Sequence, residues 1–350
     1  MDIKMLFITE EATILEAMKR MDETSKKVLF VVKDGKLVAA ISDGDVRRAI
    51  LAGKQLSEKI EDIANYKPKY ILEGEDVDPS KYMKKKSVEA VPIVDENKKI
   101  LSIHFWNDVV VKRRRSKLTT PVVIMAGGKG TRLYPYTKIL PKPLIPIGEL
   151  PVAEIIMDRF HKFGCKEFFM IVNHKKNMIK SYFSDISKSY SIDYVDEDIP
   201  LGTGGGIGLL KGKVSETFIL SNCDIIIEEN FVDIYKHHVK ENNMITMICS
   251  LKNFSIPYGV VEFGEGGSIK AMKEKPSMSF FTNTGCYIVE PQVIDMIGEN
   301  EEIGFPDIIQ RCKDHGYNVG VYPINENAWM DMGQLDELKK MQDRLSVENG

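Results

Sequence analysis

Apolar residues along this chain follow two spacings, one typical of helices and one typical of strands. In the first third, residues 10–23 have helical spacing, and Thr9 stands where it could cap the helix start. Two short apolar runs, 28–32 and 37–41, then flank an Asp-Gly dipeptide, which is typical of a hairpin turn. Helical spacing returns over residues 45–52. The pattern predicts a helix, a hairpin and a second helix.

The hairpin pattern occurs a second time. Residues 91–108 align with residues 29–45, with one extra residue in the second turn. A duplication of this size predicts two copies that complete each other's exposed faces. The basic run 112–117 follows and is typical of a hydrated connection between modules. We therefore predict an α+β domain over residues 1–115 and a linker over residues 116–120.

From residue 121 the pattern changes to short apolar runs that alternate with helical segments. The runs 122–126, 168–172 and 191–195 have the character of buried strands. Alternation of this kind predicts an α/β domain over residues 121–350, built on a Rossmann-like, mostly parallel mixed sheet with helices on both faces. Open sheets of this kind bind ligands at the carboxyl ends of their strands.

A glycine-rich loop follows the first of these strands. Its glycines allow backbone N–H groups to close around phosphate oxygens, and Lys129 and Arg132 add positive charge. The spacing matches neither a P-loop nor a dinucleotide-binding fingerprint. We predict a polyphosphate site of a different type. Its residues are Ala126, Gly127, Gly128, Lys129, Gly130 and Thr131.

The loop sequence Gly-Gly-Lys-Gly-Thr-Arg-Leu and the downstream Pro-Lys-Pro-Leu together resemble the signature of the sugar-1-phosphate nucleotidyltransferases. These enzymes make nucleotide sugars from an NTP and a sugar 1-phosphate. The resemblance implies attack by the sugar phosphate on the α-phosphorus of the NTP, with release of pyrophosphate. It implies that Arg132 holds the β- and γ-phosphates, Lys142 the α-phosphate and Lys275 the sugar phosphate.

Residues 197–206 resemble a second polar loop of that family, Leu-Gly-Thr-Ala-Gly. By this resemblance Gly202 and Thr203 bind the nucleotide, and Glu197, five positions before Gly202, reads the edge of the base. A carboxylate accepts hydrogen bonds, so Glu197 suits the N1–H and amino group of guanine better than uracil or thymine, which favours GTP. A solvated acid in an acidic turn is the alternative for Glu197, and a uridylyl- or thymidylyltransferase is the alternative enzyme.

Two acids lie near predicted strand ends. Asp224 ends the run 217–224, and Asp331 precedes a predicted carboxyl-terminal helix. Both match the metal-binding aspartates of the family and imply an Mg²⁺ ion, which accepts carboxylates together with phosphate oxygens. The resemblance assigns the sugar pocket to Gly259, Glu274 and Asn283.

The N-terminal duplication resembles a tandem pair of cystathionine-β-synthase (CBS) motifs, a module that in many proteins binds adenine nucleotides and often dimerises. Ser42 and Asp45 match the hydroxyl that contacts phosphate and the acid that bonds ribose. In the second copy Asp108 is retained but Phe105 stands at the hydroxyl position, so one adenine-nucleotide site is expected. A purely structural module is the alternative, and in either case we expect a homo-oligomer formed through this domain.

Composition limits the classes of function that remain. A formal net charge of -3 over 350 residues does not support nucleic-acid binding. The 5 cysteines show no Cys-x-x-Cys pairing, so neither a zinc site nor a disulfide framework is predicted, and a cytoplasmic location is expected. No apolar run approaches the about 20 residues of a membrane span, so we expect no membrane association.

The combination of CBS pair and transferase resembles bacterial guanylyltransferases that act on mannose, heptose or glucosamine 1-phosphates for surface glycans, including routes to nonulosonic acids. The sequence motifs do not separate these sugars. A different class of function, a catalytically inactive regulatory subunit that senses nucleotides, is the remaining alternative. Retention of Arg132, Lys142, Asp224 and Asp331 argues against it.

Overall fold

The computed structural model describes residues 2–105 and 117–348. The chain divides into two compact units, Met1–Arg114 and Arg115–Gly350, and each is described by itself. The second-copy acid Asp108 and most of the basic run 112–117 lie outside the described residues. In the part of the chain that the structure describes, no helix has both the length and the apolar character needed to cross a bilayer.

The N-terminal unit contains two small sheets of the same topology. In each, a short first strand lies parallel to a central strand, which pairs antiparallel with a third strand. The strands of the two sheets are β1 (Phe7–Ile8), β2 (Val28–Lys33), β3 (Lys36–Ser42), β4 (Ile71–Leu72), β5 (Ala90–Val94) and β6 (Ile100–Phe105). The pairing register shifts after Val31 in β2 and after Ile93 in β5, which are aligned positions of the repeat. The backbone therefore confirms the duplication.

Three helices accompany these sheets: α1 (Ile14–Thr24), α2 (Asp43–Leu51) and α3 (Pro79–Lys86). The prediction that Thr9 caps α1 is wrong. Thr13 is the N-cap, because its Oγ1 accepts the Glu16 N–H at 3.2 Å while the Glu16 carboxylate accepts the Thr13 N–H at 2.7 Å. The predicted hairpin turn is confirmed, since the Asp-Gly pair between β2 and β3 has φ values of 51° and 76°.

The C-terminal unit is an α/β domain. Its strands are β7 (Val122–Met125), β8 (Pro146–Ile147), β9 (Leu150–Pro151), β10 (Glu167–Val172), β11 (Ser191–Asp196), β12 (Phe218–Asn222), β13 (Ile225–Ile227), β14 (Ile245–Ser255), β15 (Val260–Phe263), β16 (Ile269–Lys273), β17 (Ser277–Val289), β18 (Val319–Ile324) and β19 (Trp329–Asp331). Its helices are α4 (Tyr136–Ile139), α5 (Val152–Phe163), α6 (Lys176–Ser184), α7 (Gly202–Gly205), α8 (Phe231–Lys240), α9 (Gln292–Asp295), α10 (Phe305–Asp314) and α11 (Leu335–Glu348).

Within the described residues the main sheet has 7 strands in the order β11-β10-β7-β12-β17-β14-β18. Among these strands only β17 runs antiparallel to its neighbours, so the predicted mostly parallel mixed sheet is confirmed. Alternate residues of β7 face two separate cores. Val122 and Ile124 pack in one core with residues of α5, and Val123 packs in the other with residues of α10. The sheet is therefore covered on both faces.

Candidate active site

Three neighbouring parallel strands, β7, β10 and β11, end together at one edge of the main sheet. Their register places one residue of each strand in a row made of Met125, Ile171 and Val195. The row two residues further along consists of Gly127, Asn173 and Glu197. Because side chains alternate between the faces of a sheet, residues of one row share a face. The glycine loop and the acid predicted to read the base therefore meet at this edge.

Gly127 is required by its neighbours. A Cβ atom at this position would lie 2.7 Å from Oε2 of Glu197 and 3.2 Å from the Cβ of Asn173. The Glu197 side chain thus lies over the glycine loop, and the residue is only 7% exposed. Its Oε1 accepts the Leu201 N–H at 3.1 Å. The alternative of a solvated acid is wrong for Glu197, because burial against the loop and the Leu201 amide remove it from bulk water.

Gly130 links the glycine loop to the segment that carries Lys142. It has a φ of 65°, and a Cβ atom there would lie 2.9 Å from Cγ2 of Thr137 and 3.2 Å from the Cβ of Lys142. The Thr137 hydroxyl donates to the Gly130 carbonyl at 2.8 Å. The loop and the Pro-Lys-Pro segment are therefore packed directly on each other, as two parts of one site require.

The two acids predicted from distant strand ends are brought together by a small antiparallel pair, β13 and β19. Ile225 pairs with Asp331, and the Met332 N–H donates to the Asp224 carbonyl at 2.8 Å. The Lys142 ammonium forms an ion pair with the Asp224 carboxylate, in which the two side chains are 14% and 10% exposed. Asp224, Asp331 and Lys142 therefore form one cluster of charges.

The charges of this cluster shift the proton affinities of its members. Burial alone would lower the pKa of Lys142, but the neighbouring carboxylate of Asp224, with a further contribution from Asp331, outweighs it and raises the pKa. Burial, and then the charge of Asp224, raise the pKa of Asp331 above its ordinary value. Cys223, beside Asp224, packs in the hydrophobic core, and burial raises the pKa of its thiol to about 12, which disfavours the reactive thiolate.

A cavity of about 270 Å³ opens beside this cluster. The predicted site residues on its wall are Arg132, Thr203, Asp224, Asn283 and Asp331. The Asn283 amide donates to the Tyr287 hydroxyl at 2.5 Å and accepts the Gly285 N–H at 2.9 Å, so its side chain is held in place. Asn283 lies within β17, which begins at Ser277 and pairs with β14.

The other predicted nucleotide residues lie around this edge. Ala126 is buried, whereas Gly128, Lys129 and Thr131 are exposed on the glycine loop. The second polar loop is a short helix in the structure, since α7 begins at Gly202 and its last N–H groups donate to the Ile303 carbonyl. Thr203 Oγ1 accepts the Phe305 N–H at 3.1 Å, which ties α7 to the start of α10.

The remaining residues predicted for the sugar site lie at the open end of the hairpin formed by β15 and β16. A Cβ atom at Gly259 would lie 3.0 Å from Oε2 of Glu274, so these two residues are neighbours. Glu274 and Lys275 are exposed, and Lys275 has a φ of 44°. Among the described residues, the cavity wall includes neither Gly259 nor Glu274 nor Lys275.

The two residues predicted to bind an adenine nucleotide in the N-terminal unit are bonded to each other. The Ser42 hydroxyl donates to the Asp45 carboxylate at 2.6 Å and accepts the Asp45 N–H at 3.3 Å, which forms a capping box at the start of α2. Arg48 also pairs with the Asp45 carboxylate. These contacts give both residues a local role in the helix start. In the second copy, the Lys26 ammonium lies 4.0 Å from the ring centre of Phe105.

Sequence reasoning missed several residues of the site. Asn222 and Trp329 line the cavity, Asn173 stands between Gly127 and Glu197 in sheet order, and Lys175 contacts the segment between the two phosphate motifs. Asn173 and Asn222 could have been found from one signal, because each is a polar residue at the carboxyl end of a buried parallel strand.

Comparison with known proteins agrees with this geometry. Residues 121–347 match the nucleotidyl transferase family, and residues 1–52 match the CBS domain. The chain belongs to the nucleotidyl transferase family and carries an N-terminal CBS domain. The family match to the CBS domain covers the first copy of the structural repeat.

Individual relatives differ in the nucleotide that their names state. The chain is 31% identical over 236 residues to the UTP–glucose-1-phosphate uridylyltransferase of Synechocystis sp., covering 61% of this chain and 60% of that protein. It is 30% identical over 226 residues to the mannose-1-phosphate guanylyltransferase of Mycobacterium tuberculosis, covering 61% and 60%. This chain therefore spans about 60% of the length of these relatives.

A solved structure shares the fold. The crystal structure of HddC from Yersinia pseudotuberculosis superposes with a TM-score of 0.52 at 20% identity, over 65% of this chain and 99% of that chain. At this identity the likeness concerns the fold of the C-terminal unit.

Proposed function

We propose that this protein condenses an NTP, with GTP favoured, and a sugar 1-phosphate to give a nucleoside diphosphate sugar and pyrophosphate. The observation that carries the proposal is the cluster of Lys142, Asp224 and Asp331 beside a cavity that Arg132 also borders. Cations and carboxylates with this arrangement suit a reaction between two phosphate groups. Family membership supports the class of reaction.

The reaction needs no general base, because the attacking phosphate oxygen is already ionised at neutral pH. The protein has to hold two anions in line and to neutralise charge on the α-phosphorus and the leaving group. Arg132 would bind the β- and γ-phosphates and Lys142 the α-phosphate. Lys275 would bind the sugar phosphate, and its exposed position on the loop after β16 leaves it accessible to that substrate.

Asp224 and Asp331 fit a magnesium ion. Their carboxylates are hard oxygen ligands, and burial together with the nearby charge of Asp224 raises the pKa of Asp331. In the described part of the chain no group of three or more His, Cys, Asp and Glu side chains could hold a metal ion. Phosphate oxygens and water would complete the coordination of Mg²⁺. When bound, Mg²⁺ would neutralise phosphate charge between the two substrates.

The preference for GTP is supported by Glu197. It is a buried carboxylate over the glycine loop, and an acceptor in that position suits the N1–H and 2-amino groups of guanine. Uracil and thymine present a single N–H between two carbonyls. Mannose, glucosamine and heptose 1-phosphates, as precursors of surface glycans or nonulosonic acids, are the sugar substrates to test, and regulation through an adenine nucleotide in the N-terminal unit belongs to the same proposal.

The test is a pyrophosphate-release screen that crosses GTP, UTP, dTTP and ATP with a panel of sugar 1-phosphates. We expect Mg²⁺-dependent release with GTP and one or more of these sugars. Asp224→Asn is the control, since it keeps the shape of the side chain and removes the charge. Release that persists in Asp224→Asn would contradict its role, turnover with UTP or dTTP alone would reassign the base, and no release with any pair would favour a sensing subunit.

A further inference from the structure

Asn173 lies in the row with Gly127 and Glu197, where the base is predicted to bind, and its hydrogen bonding is incomplete. Its Nδ2 atom is buried, and among the residues that the structure describes it has no hydrogen-bond partner. Buried amide donors are nearly always paired, because an unpaired donor has lost its water without gaining an acceptor. A ligand atom that accepts a hydrogen bond would complete this site.

The Asn173 side chain lies beside Gly127 and Glu197. The point that a Cβ at position 127 would occupy is 3.2 Å from the Cβ of Asn173 and 2.7 Å from Oε2 of Glu197. Both side chains therefore border the same point above Gly127. The Asn173 side chain, which carries the unpaired donor, and the Glu197 carboxylate, an acceptor, are therefore neighbours at the carboxyl edge of β7, β10 and β11, where ligands bind in sheets of this kind.

A donor beside a carboxylate matches the edge of one nucleobase best. Guanine presents an acceptor, O6, next to two donors, N1–H and the 2-amino group. Uracil and thymine would place a second carbonyl against the carboxylate. Adenine would place its 6-amino donor against the amide donor. Of these bases, only guanine therefore places an acceptor against the amide donor and donors against the carboxylate.

We propose that Asn173 is a specificity-determining residue that donates its Nδ2 hydrogen to O6 of guanine, while Glu197 accepts from N1–H and the 2-amino group. This inference rests on the proposed function, because it requires GTP as a substrate. It adds a second base-reading residue, which acts on a different atom of the base from Glu197.

Two analogues separate the two contacts. 6-Thioguanosine triphosphate keeps N1–H and the 2-amino group but replaces O6 by sulfur, which is a weak acceptor. Inosine triphosphate keeps O6 and N1–H but lacks the 2-amino group. The quantity measured is the ratio of kcat/KM for GTP to kcat/KM for the analogue within each variant. This ratio does not depend on the fraction of the variant that is folded.

We expect the wild-type protein to prefer GTP over the 6-thio analogue by about three- to tenfold, the effect of one hydrogen bond. Asn173→Ala should bring this ratio close to one and leave the GTP/ITP ratio unchanged. Asn173→Asp should have a lower kcat/KM for GTP than Asn173→Ala, because it places a carboxylate against O6. Glu197→Gln should change the GTP/ITP ratio. Asn177→Ala, an exposed asparagine in the first turn of α6, is the matched control and should keep both wild-type ratios.

The inference is overturned if Asn173→Ala keeps the wild-type preference for GTP over the 6-thio analogue, or if Asn173→Asp uses GTP as well as the wild type does. Those results would leave the proposed function intact. Absence of GTP turnover in the wild-type protein would instead overturn the proposed function, and this inference with it.

Discussion

Lys175 provides the most direct test of how the site is held together. Its ammonium donates to three consecutive carbonyls, those of Thr137, Lys138 and Ile139, at 3.0, 2.7 and 2.9 Å. These carbonyls end α4, where helix geometry leaves them without partners of their own. Since α4 lies between Arg132 and Lys142 in the chain, and Thr137 also bonds to Gly130, Lys175 keeps both phosphate-binding segments in register.

Lys175→Met removes the ammonium and keeps most of the side-chain length. Lys138 and Ile139 are exposed, so water can replace part of what is lost, and the net effect should be close to that of one charge-assisted hydrogen bond, about 1.5 kcal/mol. That energy corresponds to about a tenfold loss in kcat/KM. Because the segment binds phosphates, we expect the loss chiefly as a higher KM for the NTP.

The neighbouring Lys176 is a matched control. It has the same charge but pairs with Asp196 and Asp198 at 3.4 and 3.3 Å on the surface, contacts that contribute at most about 1 kcal/mol. Steady-state pyrophosphate release and thermal melting should be measured for Lys175→Met, Lys175→Arg and Lys176→Met. We expect partial recovery in Lys175→Arg. Equal KM values for the two methionine variants, with equal melting temperatures, would refute the reasoning.

Three further predictions concern other parts of the chain. Ser42→Ala removes the cap of α2 and should lower the free energy of unfolding of the N-terminal unit by about 1 kcal/mol in urea titrations of the full chain without nucleotide. Burial holds the pKa of His238 below its ordinary value, against the raising effect of Glu290. The neutral residue therefore stabilises the fold above about pH 6.5 and this stability is lost as pH falls, so His238→Gln should flatten the decrease in melting temperature on acidification. Lys275→Ala should raise the KM for the sugar phosphate in steady-state kinetics, and an effect confined to the NTP would reassign the residue.

The strands and the duplication were predictable because they depend on local spacing. The runs that became β7, β10 and β11 are recognisable from apolar character alone, and the Asp-Gly turn from its backbone preference. The start of α1 was not predictable in this way, because Thr9 and Thr13 are both suitable caps. The reciprocal hydrogen bonds between Thr13 and Glu16 decide between them.

The candidate site was predictable only as a set of motifs. Sequence alone offered two interpretations of Glu197, a solvated acid or a base-reading residue, because neighbouring acids in a turn look alike. The three acids differ in their surroundings. Asp196 and Asp198 are exposed and pair with lysines, while Glu197 is covered by the glycine loop. Only the packing of the glycine loop shows which of the three acids is covered.

By itself, the sequence determined the class of fold, the order of the two units and the residue types available for phosphate chemistry, since these follow from spacing and composition within short stretches. Only the tertiary structure decided that Asp331 lies beside Asp224 and that Asn173 shares a row with Gly127 and Glu197. The physical reason is that strand register and packing join segments far apart in the chain, and neither leaves a mark in any one of them.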